Sequence, residues 1–223
     1  MDLTHRPLII VLGALLLCTA VIHLIACYRR FPKTRSVTKV LLMPLLFALY
    51  AVSVPKIRLL VAAALLFGWI GDVFLLFRKS RILMLCGVCA FGLGHIFYIG
   101  AMLSAHPQLS LLILIPIALC VLWMTFVCKK LIPYAPRALK KPGFLYALLL
   151  SGTCLSALYA LLTTQMPSYL IAFIGGLFFM VSDTILTGQA YRKETRHGGF
   201  YVMLTYIIAQ ALLILGLALS GGN

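Results

Sequence analysis

Acidic residues are almost missing from this chain: Asp2, Asp72, Asp183 and Glu194 are the only four in 223 residues, against nineteen lysines and arginines. Charged residues of both signs make up only 10%. A surface so poor in charge cannot keep a soluble domain in water. Also absent are a GxSxG elbow, a Gly-rich phosphate loop and an HExxH pair, so the common motif-borne hydrolytic and nucleotide chemistries have no anchor here. A zinc site is underprovided too. Zinc chemistry usually wants three His or carboxylate ligands around an open position, and within apolar segments there are only His23, His95, Asp72 and Asp183, without tight His spacing.

What is present is apolar: 63% of residues are hydrophobic and the mean hydropathy is +1.10. A helix needs about 20 such residues to cross a bilayer. Eight spans are expected, at 7–27, 38–53, 59–77, 82–103, 109–127, 143–162, 168–190 and 199–219, the second being short. The connections are too brief for an extramembrane domain, so residues 1–223 read as a single polytopic membrane domain. Sixteen of the nineteen basic residues fall after spans 1, 3, 5 and 7, leaving Arg6, Lys56 and Arg58 on the other side. By the positive-inside rule the sixteen face the cytoplasm and both termini face away from it. The same bias accounts for the net charge of +15. Spread over four short loops, it argues against nucleic-acid binding and for attraction to a lipid bilayer with anionic headgroups.

Seven cysteines lie mostly within spans, where a thiol behaves as a small apolar packer. Cys86 and Cys89 form a CxxC without the βαβ context of a redox site. Leu24-Ile25-Ala26-Cys27 has the look of a lipoprotein processing box, but the basic flank after it places Cys27 on the cytoplasmic side, so span 1 reads as an uncleaved helix. His23, near the inner end of span 1, reads as an interface residue.

Two of the four acids sit inside spans in near-identical settings, Asp72 in LLFGWIGDVFLLF and Asp183 in GLFFMVSDTILTG. A carboxylate within a span costs roughly 2.5–3.5 kcal/mol on insertion scales, which makes it a functional-site hypothesis by default. An offset of 111 residues superposes Asp72 on Asp183, Gly71 on Ser182 and His95 on Tyr206. Spans 3–4 thus resemble spans 7–8, and the expected architecture is an all-α membrane protein of two four-helix halves related by a pseudo-twofold along the membrane normal. On this topology Asp72 and Asp183 lie roughly 8 Å inside the cytoplasmic end of their spans. Tyr206 and Gln210 share a face of span 8 near the same level. His95 and Tyr98 share a face of span 4, with His95 about 20 Å deep counted from Arg81. A lone buried His is more often a packing residue than a functional one.

The ordered set Thr38-Lys39, Gly71-Asp72, His95-x-x-Tyr98, Tyr146, Ser182-Asp183 and Tyr206-x-x-x-Gln210 resembles the YhhN family, over about 38 to 215. Characterised members of that family are lysoplasmalogenases. The resemblance implies an integral-membrane hydrolase that cleaves the vinyl-ether bond of a lysophospholipid substrate, releasing a fatty aldehyde and a glycerophospho-ethanolamine or -choline. The expected location is multi-pass in a bacterial cytoplasmic (inner) membrane.

The chemistry suits the residues on independent grounds. A vinyl ether hydrolyses by protonation of its β-carbon, and water traps the oxocarbenium ion as a hemiacetal. An acid still protonated near neutral pH is needed, together with a second carboxylate that stabilises the cation and activates water. Asp72 and Asp183 are the candidate catalytic residues. Lys39, His95, Tyr98, Tyr206 and Gln210 are the candidate substrate-binding residues, Lys39 for the phosphate. No metal or organic cofactor is required. Two other readings stay open: a different intramembrane lysolipid or amide-lipid hydrolase, metal-dependent or not, and a small proton-coupled lipid or solute transporter, since an acid in each of two repeats also suits transport.

Overall fold

A computed structural model describes residues 6–77, 80–104, 110–191 and 194–221. Among them are eight long helices: α1 (Arg6–Arg29), α2 (Pro32–Ser53), α3 (Leu59–Leu76), α4 (Arg81–Leu103), α5 (Leu114–Lys130), α6 (Arg137–Thr164), α7 (Pro167–Tyr191) and α8 (Gly198–Ser220). All eight spans are long and apolar enough to cross a membrane, the fifth counted with the short 3₁₀ turns Leu111–Ile113 and Ile132–Tyr134 that flank α5. No strand occurs among the described residues. Side chains such as Ile10, Leu17, Val121 and Leu122 point outward, as lipid-facing positions must. α6 and α8 are the most enclosed helices, while α1 and α5 lie at the periphery.

Two helices start earlier than the apolar runs. α2 begins at Pro32 and α6 at Arg137, so Lys33, Arg35 and Lys39 and, separately, Arg137, Lys140 and Lys141 are helical residues and not loop residues. Long basic side chains can lay their stems on apolar surface and carry the charge outward, so a helix continues through them. The second span, short when read from hydropathy, is a helix of 22 residues. Arg78, Lys79, Arg192 and Lys193 lie outside the described residues, as do Asp2, His5 and His106.

Two tight helix hairpins share one construction. Arg30 and Gln165 adopt the left-handed conformation, with φ of 60° and 57°. Each stands just past a helix end, and each is followed by one residue and then a proline at the first position of the next helix. The left-handed residue turns the chain, and proline, lacking an N–H that would go unused there, starts the new helix. The result sets α2 antiparallel to α1 and α7 antiparallel to α6.

The paired helices α3–α4 and α7–α8 cross at small residues. A Cβ on Gly71 would stand 2.6 Å from the Phe91 ring, and one on Gly216 would stand 2.6 Å from the Ser168 carbonyl oxygen. Contact this close is what glycine supplies between membrane helices. At the 111-residue offset, the Gly71–Phe91 contact falls on Ser182 and Val202, and Ser182 Oγ donates to the Val202 carbonyl at 3.0 Å. At the end remote from the basic residues, the Arg58 guanidinium donates to the Ala101 carbonyl near the end of α4 and to Ser220 Oγ at the end of α8, at 3.3 Å for the serine. A cation is well placed there, against helix C-termini with unused carbonyls.

Candidate active site

At the basic end of the bundle the helices enclose a cavity of about 260 Å³. Asp72 from α3 and Asp183 from α7 both line it. Each carboxyl is held, but differently. The Lys39 ammonium lies 3.1 Å from Asp72 Oδ1, and the Tyr206 hydroxyl donates to Oδ2 at 2.7 Å. Asp72 is 2% exposed, so its charge is buried and matched on both oxygens, the condition under which a buried carboxylate is tolerable. Asp183 is only partly buried, and its Oδ2 accepts a hydrogen bond from Tyr146 on α6. Among the described residues Tyr146 is the one hydrogen-bond donor to Asp183, and no hydrogen bond engages its Oδ1. The two carboxyls and Lys39 are close enough to interact electrostatically.

The phenol of Tyr206 is fixed by packing as well as by its hydrogen bond. Its ring takes edge contacts from Phe91 at 6.2 Å and Phe179 at 5.5 Å between centroids. Phe91 reaches that position only because Gly71 has no side chain, so the small residue before Asp72 helps to aim its partner.

His95 belongs to a deeper layer. Phe91 is level with Gly71, and Gly94 packs on Ala64 and Gly68, so His95 lies roughly 7 Å below Asp72 at 1.5 Å per helical residue. That is nearer than counting from Arg81 suggests, yet it remains beneath the carboxyls. His95 Nδ1 is 3.0 Å from Thr153 Oγ1, and Nε2 is buried without a hydrogen-bond partner. In the same layer Tyr98 donates to Gln210 Oε1 at 2.7 Å. Phe91 and Phe179 stand between this layer and the large cavity and line both. His23 is not an interface residue: it is fully buried between α1 and α2, bonded through Nδ1 to Thr38 Oγ1 at 2.7 Å.

The cavity mouth leaves no distinct mark in the sequence. Arg30, Arg35 and Arg196 line it, and the Arg30 guanidinium donates to the Arg196 carbonyl at 3.0 Å, tying the α1–α2 turn to the start of α8. These arginines were legible only as part of the basic bias. The same holds for the apolar wall, lined by Met84 and Val88 of α4 and by Trp123 and Val127 of α5. α5 packs chiefly on α6, which leaves the α4–α5 flank lightly closed. Among the described residues no three His, Cys, Asp or Glu side chains converge as metal ligands would.

A polar cavity holding an ion-paired carboxyl, sunk among eight helices long and apolar enough to cross a membrane, defines a multi-pass membrane protein with a buried polar site. The chain belongs to the YhhN family, whose model matches residues 34–217. That match covers both aspartates, Lys39 and the tyrosines that hold the carboxyls, and leaves out α1. No curated protein and no solved structure matches the chain.

Proposed function

We propose that this protein is a membrane-embedded hydrolase that cleaves the vinyl-ether bond of lysoplasmalogens by carboxyl acid–base chemistry. The observation that carries the reading is the pair of aspartates in one cavity, one ion-paired and one bonded, among the described residues, to a phenol alone. Two carboxyls in unlike environments are what a division into acid and base requires. Asp183, with one oxygen unengaged, protonates the β-carbon of the alkenyl chain. Asp72, kept as a carboxylate by Lys39, stabilises the oxocarbenium ion and takes a proton from the attacking water. The hemiacetal then collapses to a fatty aldehyde and the glycerol hydroxyl of a glycerophospho-ethanolamine or -choline. Tyr206 and Tyr146 keep the carboxyls in place through the cycle.

The walls suit the two ends of such a substrate. The apolar α4–α5 flank offers the alkenyl chain a lateral path from the bilayer, and the guanidinium groups of Arg30, Arg35 and Arg196 suit a phosphate better than Lys39, which is committed to Asp72. Arg35→Gln should therefore raise KM for a lysoplasmalogen about tenfold with kcat little changed, since a phosphate contact remote from the reacting carbon contributes uniform binding. An equal fall in kcat with KM unmoved would place Arg35 in the chemical step instead.

The same reading places the basic end in the cytoplasm of a bacterial inner membrane, with both termini outside. A reporter fused after Asn223 that is active only in the cytoplasm would reverse the orientation. The matched contacts of Gly71–Phe91 and Ser182–Val202 support a duplicated four-helix unit. The hydrogen bonds to the carboxyls do not follow the offset: Asp72 takes Tyr206, whereas Asp183 takes Tyr146 and not His95, the residue at the equivalent offset.

The direct test gives purified protein a lysoplasmalogen and its saturated alkyl-ether analogue. Fatty aldehyde should appear from the first alone, because only the alkenyl chain can be protonated at carbon. Release of fatty acid from acyl lysolipids, with no aldehyde, would reassign the site to a different lipid hydrolase.

A further inference from the structure

Cys27 and His23 take no part in the reaction above, yet they form an ordered chain of donors. They lie one helical turn apart on α1, with Cys27 Sγ 3.4 Å from His23 Nε2. His23 Nδ1 meets Thr38 Oγ1 at 2.7 Å across the α1–α2 seam. The Thr38 hydroxyl donates at 2.7 Å to the Thr34 carbonyl, so toward His23 it can only accept. The ring proton is thereby placed on Nδ1, and Nε2 faces the thiol with its lone pair. A nucleophile, a base and a group that orients the base is the arrangement found in enzymes that attack through sulfur. His23 is shut off completely, while Cys27 opens on the cavity that holds both aspartates. Arg30, Arg35 and Lys39 line the same cavity.

We propose that Cys27 is a covalent capture site for aliphatic aldehydes, with His23 as its base and Thr38 as a positioning residue. The proposal rests on the reading above in one respect, that a fatty aldehyde is formed in this cavity. Sulfur adds to the aldehyde carbon while the S–H proton passes to His23 Nε2 and from there to the carbonyl oxygen. The product is a neutral thiohemiacetal, formed without oxidant or reductant, and the reverse step returns thiol and aldehyde. A captured chain occupies the space beside Asp72 and Asp183, so the product restrains further turnover until it escapes to the bilayer.

The test treats full-length protein in detergent with hexadecenal, an α,β-unsaturated aldehyde. Its β-carbon bonds the thiol sulfur while the α-carbon takes the proton, giving an adduct stable enough to locate by peptide mass spectrometry. Cys27 should be modified ahead of Cys18, Cys89 and Cys128, which are exposed on the bundle surface. Saturated hexadecanal should protect Cys27, and hexadecanol should not. Thr38→Val and His23→Gln should slow the adduct about a hundredfold, the lower end of what a positioned base contributes, and Thr38→Ser should keep it. Adducts on Lys39 or the surface cysteines before Cys27, or an unchanged Cys27 rate in both variants, overturn the proposal. If neither variant folds, absence of hexadecanal protection in the natural protein overturns it alone. Capture needs no turnover. Aldehyde capture by a protein that releases none from lysoplasmalogen would sink the proposed reaction and leave the thiol site standing.

Discussion

Asp183→Asn is expected to yield a folded, membrane-inserted protein whose turnover falls at least about a hundredfold, the usual scale for a lost acid–base group. The amide keeps the shape and still accepts from Tyr146 through its oxygen, so the packing of α6 on α7 survives. What is lost is the proton that Oδ1 would deliver. Asp72→Asn should cost at least as much in turnover, because an amide supplies no negative charge for the oxocarbenium ion and no base for water. Turnover measured beside a gel-filtration profile separates chemistry from misfolding. If both Asn variants keep near-natural rates, the paired-carboxyl mechanism is wrong.

Lys39→Met should be costly in a different way. It leaves Asp72, only 2% exposed, without its cation. Removing one partner of a buried ion pair costs about 3–5 kcal/mol, whereas replacing both by neutral groups is often close to neutral. Thermal unfolding in detergent should therefore show a large loss for Lys39→Met and recovery of most of it in Lys39→Met with Asp72→Asn. Activity should stay lost in both, since the single variant takes away the cation that keeps Asp72 ionised and the double variant removes the carboxyl itself. Were the single variant as stable as the natural protein, Lys39 would be a membrane-flank lysine whose contact with Asp72 contributes little.

The spans were readable because eight apolar runs dominate the chain, and their ends were not. Hydropathy stops where Lys33, Arg35 and Lys39, or Arg137, Lys140 and Lys141, begin, while the helix does not. That error hid the most informative pair in the molecule. Placed at the start of a span, Lys39 is fully explained by flank charge, and only its position two turns inside α2 brings it to Asp72. The repeat offset matched the two aspartates and, in the fold, the contacts that Gly71 and Ser182 make. It could not foresee that Asp183 takes its donor from α6, because Tyr146 has no counterpart in the offset comparison. His95 illustrates a limit of counting residues: depth along one helix says nothing of how far the next has slid against it, which Phe91 on Gly71 decides. As a pair His23 and Cys27 gave no signal, since a histidine and a thiol at i, i+4 are unremarkable until a cavity is found beside them.

The central claim is that a carboxyl proton is delivered to carbon, and it is tested most directly by turnover of lysoplasmalogen in heavy water, with the aldehyde reduced to alcohol as it forms. Protonation at the β-carbon predicts a single deuterium on the carbon next to the alcohol carbon, with no other carbon labelled. Aldehyde carrying no deuterium there, or a fatty acid in its place, would contradict it.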